Sequence, residues 1–310
     1  MDDETLGLSR LRPVLPSPLQ PVEDERFARH GVTLLLKRDD LIHPDLPGNK
    51  WRKLAPNLRA AAGRTVLTFG GAYSNHLRAT AAAGRLLGFP TVGVVRGGEL
   101  AHRPLNPSLA RCAADGMRLH FVDRATYRAK TVPAVLDGLL SRFGECVVIP
   151  EGGSNALAAQ GCTELGRELR GRSATVAVAC GTGGTLAGLA AGLGPRQRAL
   201  GVPVLRGGFL GAAVLDLQRE AFGAPVGRWS LDDRFHFGGY ARTTPELHAF
   251  ADDFEDRHGL PVERLYMAKL LYGLTVLAGE GAFAPGSAVT AVVTGRPGTA
   301  GDGQPVSDSR

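Results

Sequence analysis

The sequence predicts an α/β protein built on a mostly parallel sheet. Between residues 65 and 193, short β-rich runs alternate with segments of helical length, the pattern of βαβ units. Three strand-to-helix junctions are glycine-rich, at Gly70–Asn75, Pro150–Asn155 and Gly181–Thr185. At 310 residues and 44% hydrophobic content, the chain can bury one large α/β core or two smaller ones.

In chain order, Thr65–Phe69 (TVLTF) reads as a strand and is followed by a helix from His76 to Leu87. Thr91–Val95 is the second strand, Leu105–Ala114 a helix, and Arg118–Val122 the third strand. One long helix over Arg128–Arg142 leads to strand Cys146–Ile149, and a helix after Asn155 runs to Leu169. Strand Thr175–Ala179 opens into Gly181–Thr185 and a helix of small residues ending at Leu193. The later chain is less regular, with helices at Thr244–His258 and Lys269–Glu280 and a strand at Val289–Val293. Residues 298–310 are rich in Gly, Pro, Ser and Asp and read as a disordered tail.

Composition excludes several classes of function. No apolar run reaches membrane-spanning length, and the acidic start Met1-Asp-Asp-Glu4 lacks the features of a signal peptide, so a cytoplasmic protein is expected. The four cysteines are scattered and read as reduced, buried hydrophobes; no histidine pattern suggests a metal. The net charge of +6 comes from dispersed arginines with few aromatics, which argues against nucleic acid and for anionic small molecules.

Of 36 basic residues only five are lysines: Lys37, Lys50, Lys53, Lys130 and Lys269. Arginine stays protonated in water, whereas lysine can be tuned to a neutral amine. Lys50 follows Gly48-Asn49 at a predicted helix start. With Asn49 as N-cap it would sit in the first turn, where the helix dipole disfavours an ammonium. That setting suits a Schiff-base lysine; a surface lysine at a helix N-terminus is the plainer reading.

Gly181–Thr185 follows an apolar strand and opens a helix, which presents backbone N–H groups to a phosphate; a tight turn is the structural alternative. It is not a Walker motif, and it lacks the last glycine of a dinucleotide fingerprint. A dinucleotide-binding protein remains the alternative from a different class, but would leave Lys50 without a role. Ser74, Asn75 and His76 supply hydroxyl, amide and imidazole at another helix start, where either Ser74 or Asn75 could instead be only a cap. Tyr240 and Tyr266, two of five tyrosines, gain meaning only together with these loops.

This ordered set resembles the fold-type II pyridoxal-phosphate enzymes, and most closely the 1-aminocyclopropane-1-carboxylate deaminase / D-cysteine desulfhydrase family. The matching stretches are Lys37–Leu41, Gly48–Leu54, Phe69–His76, Pro150–Asn155, Gly181–Thr185, His236–Tyr240 and Leu265–Lys269. The resemblance implies a two-domain, tryptophan-synthase-β-like architecture of open, mostly parallel sheets. Residues 1–51 and 155–297 would form the large cofactor-binding domain and 52–154 a small α/β domain. It implies pyridoxal 5'-phosphate as cofactor, a small amino acid as substrate and a homodimer.

By the same resemblance, Lys50 matches the lysine that forms the imine with the cofactor and moves the substrate's α-proton. Asn75 is similar to the residue that bonds the ring hydroxyl, and Ser74, Asn75 and His76 to the group that holds the substrate carboxylate. Gly181, Thr182, Gly183, Gly184 and Thr185 match the phosphate loop. Tyr240 and Tyr266 match two tyrosines that face substrate.

Two positions near the ring depart from the family pattern. After the second tyrosine, deaminases carry Glu and desulfhydrases Ser or Thr; this chain has Met267. The C-terminal motif reads Val293-Thr-Gly-Arg296, so Thr294 follows the desulfhydrase pattern while a flanking His and Gly are lost. An acid beside the ring nitrogen would favour its protonated form; without one, a neutral ring suited to β-elimination is expected. The resemblance therefore implies D-cysteine desulfhydration, with deaminase-like activity or a family member of drifted or weak catalysis as alternatives.

Overall fold

The computed structural model describes residues 7–295, so the predicted tail at 298–310, the segment Met1–Glu4 and Arg296 lie outside the described residues. By internal contacts the chain divides into two units. One comprises Val14–Lys53 with residues 154–295; the other comprises residues 7–13 with Leu54–Gly153.

Strand β1 (Leu19–Val22), the short helix α1 (Glu25–Ala28) and strand β2 (Thr33–Lys37) precede helix α2 (Asn49–Ala61). In β2, Leu34 and Leu36 point into one core and Lys37 is itself buried. The division between units falls within α2, after Lys53.

The unit containing Leu54–Gly153 has a four-stranded parallel sheet in the order β5-β4-β3-β6. Its strands are β3 (Thr65–Gly70), β4 (Thr91–Arg96), β5 (Arg118–Val122) and β6 (Cys146–Ile149), connected by α3 (Asn75–Leu87), α4 (Pro107–Ala114), α5 (Arg124–Arg128) and α6 (Pro133–Phe143). β3 and β4 are almost wholly buried, as parallel strands covered on both faces must be. The single helix expected over Arg128–Arg142 is two. Pro133 has no N–H to donate and keeps Val132 extended (φ −72°, ψ 126°), so α5 stops and α6 starts afresh with proline in its first turn.

In the other unit, α7 (Ala156–Glu168), β7 (Thr175–Cys180), α8 (Gly184–Gly192), β8 (Arg198–Pro203), α9 (Leu210–Phe222), β9 (Trp229–Leu231), α10 (Pro245–His258), α11 (Met267–Gly279) and β10 (Ala288–Val292) follow in turn. The six-stranded sheet runs β1-β2-β10-β7-β8-β9, parallel except for β1, which pairs antiparallel with β2. The last strand thus lies between the second and the seventh, and the carboxyl ends of β10 and β7 lie side by side. One apolar core, including Leu270, Leu274 and Phe254, packs with Leu34, Leu36, Ala177 and Ala291. A second, including Leu165, Leu186 and Leu189, packs with Val176 and Val178.

Helices α7 and α8 approach until only glycine fits between them. A Cβ on Gly188 would lie 2.0 Å from the Ala159 carbonyl oxygen, and one on Gly192 the same distance from that of Thr163. This contact fixes α8, and with it the loop that opens α8. Among the described residues no helix is long and apolar enough to cross a membrane, and no group of acidic, cysteine or histidine residues could hold a metal ion.

Candidate active site

The site elements of the unit containing Lys50 gather where parallel sheets place their ligands, at the carboxyl ends of central strands. β7 ends at Cys180 and opens into Gly181–Thr185; β10 ends at Val292, two residues before Thr294. Gly48, with φ +67°, lets the chain turn into α2 under the end of β10; a Cβ there would lie 1.8 Å from the Thr294 carbonyl oxygen.

Helix α2 begins at Asn49 itself, so Asn49 is not the expected N-cap but the first helical residue. Its side chain serves the site instead. The Asn49 Nδ2 donates to Thr185 Oγ1 at 2.9 Å, while its Oδ1 accepts from Lys50 Nζ at 2.6 Å. One amide therefore ties the Lys50 amine to the last residue of the glycine loop. Burial, reinforced by the charge of Lys53, pulls Lys50 from the ordinary 10.5 down to about 7; the Cys162 thiol acts weakly the other way. Near neutral pH a large fraction of this amine is unprotonated and nucleophilic.

Sequence reasoning gave Lys53 no role. It lies one helical turn after Lys50, and its Nζ donates to Ser154 Oγ at 2.8 Å; Ser154 Oγ is 2.5 Å from Thr182 Oγ1. A Cβ on Gly184 would meet Ser154 Oγ at 2.7 Å and lie 3.4 Å from Lys53 Nζ. The loop thus combines a helix N-terminus, two threonine hydroxyls, a serine and a lysine, and glycine at 184 keeps it open. That donor set suits a phosphate. Burial lowers the pKa of Lys53 as well, a cost that a bound anion would offset. The scarcity of lysine and the i, i+3 spacing from Lys50 were the signals available in the sequence.

Tyr266 stands over the start of the loop, its hydroxyl 3.4 Å from where a Gly181 Cβ would be. Its ring meets that of Tyr240 edge-on, with centroids 6.4 Å apart at 70°. Tyr266 owes its position to Glu263, whose carboxylate accepts N–H bonds from Leu265 (2.7 Å), Tyr266 (2.6 Å) and Met267 (3.3 Å) at the start of α11. Met267 is buried and brings no ionisable group.

Ser74, Asn75 and His76 belong to the other unit and form their own cluster at the start of α3. Ser74 is its N-cap, Oγ accepting from the Leu77 N–H at 3.2 Å; its hydroxyl proton can still be donated. Asn75 Oδ1 accepts a short bond from Arg78. The His76 ring turns into the core, 2% exposed, with Nε2 at 2.8 Å from Thr68 Oγ1. Thr68 gives its one hydroxyl proton to the Ile149 carbonyl at 2.7 Å, so Nε2 is the donor to Thr68. What this segment can present to an anion is the Ser74 hydroxyl, the Asn75 Nδ2 and first-turn N–H groups, not the imidazole.

The residues present fit a phosphate-bearing aldehyde: an amine poised to condense, beside a loop that a Cβ at position 184 would fill. The comparisons agree. The model of the "Pyridoxal-phosphate dependent enzyme" family matches residues 11–295. A Pyrococcus horikoshii protein named provisionally as a 1-aminocyclopropane-1-carboxylate deaminase is 31% identical over 266 residues, covering 81% of each chain. D-cysteine desulfhydrase of Klebsiella pneumoniae is 30% identical over 84% of this chain and 85% of its own. A crystal structure described as an ACC deaminase homologue superposes with a TM-score of 0.75 at 26% identity, covering 95% of both chains. The fold is therefore the expected fold-type II α/β architecture of mostly parallel sheets, and the chain belongs to the pyridoxal-phosphate dependent enzyme family.

Proposed function

We propose that this enzyme carries out β-elimination and deamination of a small amino acid, most like D-cysteine desulfhydrase: D-cysteine and water give pyruvate, sulfide and ammonia. The observation that carries this reading is the Lys50 amine, lowered to about 7 and tied through Asn49 to Thr185. When bound, pyridoxal phosphate supplies the electron sink for negative charge at the substrate's α-carbon. Lys50 is the base that takes the α-proton, and a group near pH 7 is well matched to that task. Gly181–Thr185 with Lys53 and Ser154 holds the phosphate. Ser74, Asn75 and His76 hold the substrate carboxylate at the start of α3, His76 through its backbone, and Asn75 meets the ring hydroxyl. Tyr240 and Tyr266 face the leaving group, and Thr294 lies by the ring.

Met267 favours elimination over opening of a cyclopropane ring, because a thioether next to Tyr266 cannot exchange a proton with a ring nitrogen. Ring opening is the second reading, supported by the name of the Pyrococcus horikoshii relative. We further take the unit of Val14–Lys53 with residues 154–295 as the cofactor domain and that of Leu54–Gly153 as the smaller one, in a cytoplasmic homodimer. The boundaries expected at 51/52 and 154/155 thus shift by one or two residues, and residues 7–13 go with the smaller unit.

The test is direct. Borohydride treatment should bleach the visible band and leave the adduct on the Lys50 peptide. Pyruvate should form from D-cysteine or D-serine, and little 2-oxobutanoate from 1-aminocyclopropane-1-carboxylate. Fast 2-oxobutanoate release would replace the first reading by the second; bound cofactor with no turnover of any of these would leave a binding protein.

A further inference from the structure

Lys269 is a fully buried lysine that the chemistry above does not use. It lies in the first turn of α11, and its Nζ donates to the carbonyl oxygens of His236 at 2.8 Å and Gly239 at 2.9 Å. The segment it grips is unusual. Phe237, Gly238, Gly239 and Ala241 have φ of 51°, 88°, 118° and 57°, so four of five consecutive residues are left-handed, two of them not glycine. Such a backbone persists only where its surroundings hold it. The fifth residue is Tyr240.

Further restraints on this loop include local ones. The Gly239 N–H donates back to the His236 carbonyl at 3.0 Å, and the Gly238 N–H to His236 Nδ1 at 2.9 Å. The Phe237 ring packs edge-on against Tyr272 of α11 at 5.0 Å. Lys269 binds the His236 and Gly239 carbonyls to α11, the helix that Tyr266 caps and Met267 begins. Burial draws Lys269 down to about 8, while the Glu263 carboxylate acts against that shift. So the Glu263 carboxyl just before α11 fixes Tyr266, and Lys269 in its first turn grips the Tyr240 loop.

We propose that Lys269 is a positioning residue, whose ammonium gathers the His236 and Gly239 carbonyls and thereby sets Tyr240 edge-on to Tyr266. The inference rests on the assignment of Tyr240 to the active site. Its test does not depend on turnover. Hydrogen exchange is followed in the holoenzyme for wild type, Lys269→Met, and Lys269→Ala with and without propylammonium chloride, against sodium chloride at equal ionic strength. In K269M, peptides covering 236–242 should exchange about tenfold faster, the effect of losing a charge-assisted clamp, while β7 and β10 keep their protection. Propylammonium, but not sodium, should restore loop protection in K269A. Unchanged loop exchange in K269M, or a loss spread equally through β7, β10 and α10, overturns the proposal. Should K269M not fold, K269A prepared in propylammonium and then dialysed provides the same comparison.

Activity gives a second, separable readout. With cofactor content unchanged, kcat on D-cysteine should fall by about tenfold or more in K269M, and propylammonium should recover part of it in K269A but none in Tyr240→Phe. A wild type without turnover removes the proposed reaction but leaves the exchange result to decide the clamp. An active wild type whose loop is indifferent to Lys269 removes the clamp alone.

Discussion

None of the five lysines is exposed, and each makes a specific contact. Lys37 pairs with Glu168, Lys50 bonds Asn49, and Lys53 bonds Ser154. Lys130 pairs with Glu151 over the Tyr127 ring, and Lys269 holds two carbonyls. The Lys50–Lys53 couple yields the sharpest expectation at this scale. Two ammonium groups one helical turn apart repel, so removing the charge of Lys53 raises the pKa of Lys50. In Lys53→Met, the pH profile for condensation with pyridoxal phosphate should move to higher pH from its midpoint near 7. Loss of a charge-assisted phosphate contact, about 1.5–3 kcal/mol, should weaken cofactor binding by roughly ten- to a hundredfold. Absorbance titration across pH measures both. An unshifted midpoint would mean that the two amines do not sense each other. The sign for stability follows: the folded protein binds fewer protons than the unfolded chain between about pH 7 and 10.5, so this group's contribution to stability rises with pH through that window.

At the scale of elements, the two ends of the site depend on contacts that are not themselves chemical. The start of α2 is anchored by Arg52, which bonds both oxygens of Asp39 at 2.8 Å and those of Glu168 at 3.0 and 2.9 Å. Lys37 joins Glu168 at 2.5 Å, and Ser17 bonds Asp39 at 2.6 Å. Burial alone would raise the Glu168 carboxyl, but Arg52 and Lys37 overcome it and hold it below the usual range. Its contribution to stability is therefore present at neutral pH and lost as acid titrates the carboxylate. Glu168→Gln removes the counter-ion of Lys37, which keeps its bond to the Ser17 carbonyl, and one of the two carboxylates on Arg52, in a dry setting, and should cost about 3 kcal/mol, read as a lower urea midpoint. Gly188→Ala tests the other end. The added Cβ must push α8 off α7, at a cost of about 1–3 kcal/mol, and should weaken cofactor binding because α8 carries the loop. A stable G188A with unchanged affinity would detach the loop from the helix contact.

What the sequence revealed follows the same division. Strands β3 to β7 and the helices between them were legible because each has a clear period and a glycine or proline boundary. β1, half-exposed and holding Pro21, and the three-residue β9 carry too little pattern to stand out from loop. The split of α5 from α6 was written in Pro133 and overlooked. Lys50, the glycine loop and the two tyrosines stand out in the sequence because each follows a recognisable junction. Lys53, Glu263 and Lys269 could not, since their partners are a serine 101 residues away, backbone N–H groups and backbone carbonyls. For His76 the side chain misled, because a polar ring at a helix start can also be recruited inward by a strand threonine.

For the molecule as a whole, the contacts that define the phosphate loop and the Lys50 amine all lie in Val14–Lys53 and residues 154–295, while the candidate carboxylate group is built from Leu54–Gly153. Ligands that load these groups separately should therefore protect them separately. A ligand present at about a hundred times its Kd stabilises what it binds by about 2.7 kcal/mol, enough to register as slower exchange. Loading the apoprotein with pyridoxal phosphate should slow exchange most in the segment Gly181–Thr185, at the start of α2 and along β7 and β10, strands that zip the two halves of the chain into one sheet. A non-reactive carboxylate, such as propionate added to the loaded enzyme, should then slow the amides of residues 75–77, where a helix start offers N–H groups beside the Ser74 hydroxyl. Ser74→Ala should abolish that second step and leave the first intact. If propionate protects nothing at 75–77, Ser74, Asn75 and His76 do not hold the carboxylate. That role would then pass to donors elsewhere, with the phosphate loop and the Lys50 amine keeping their assignment.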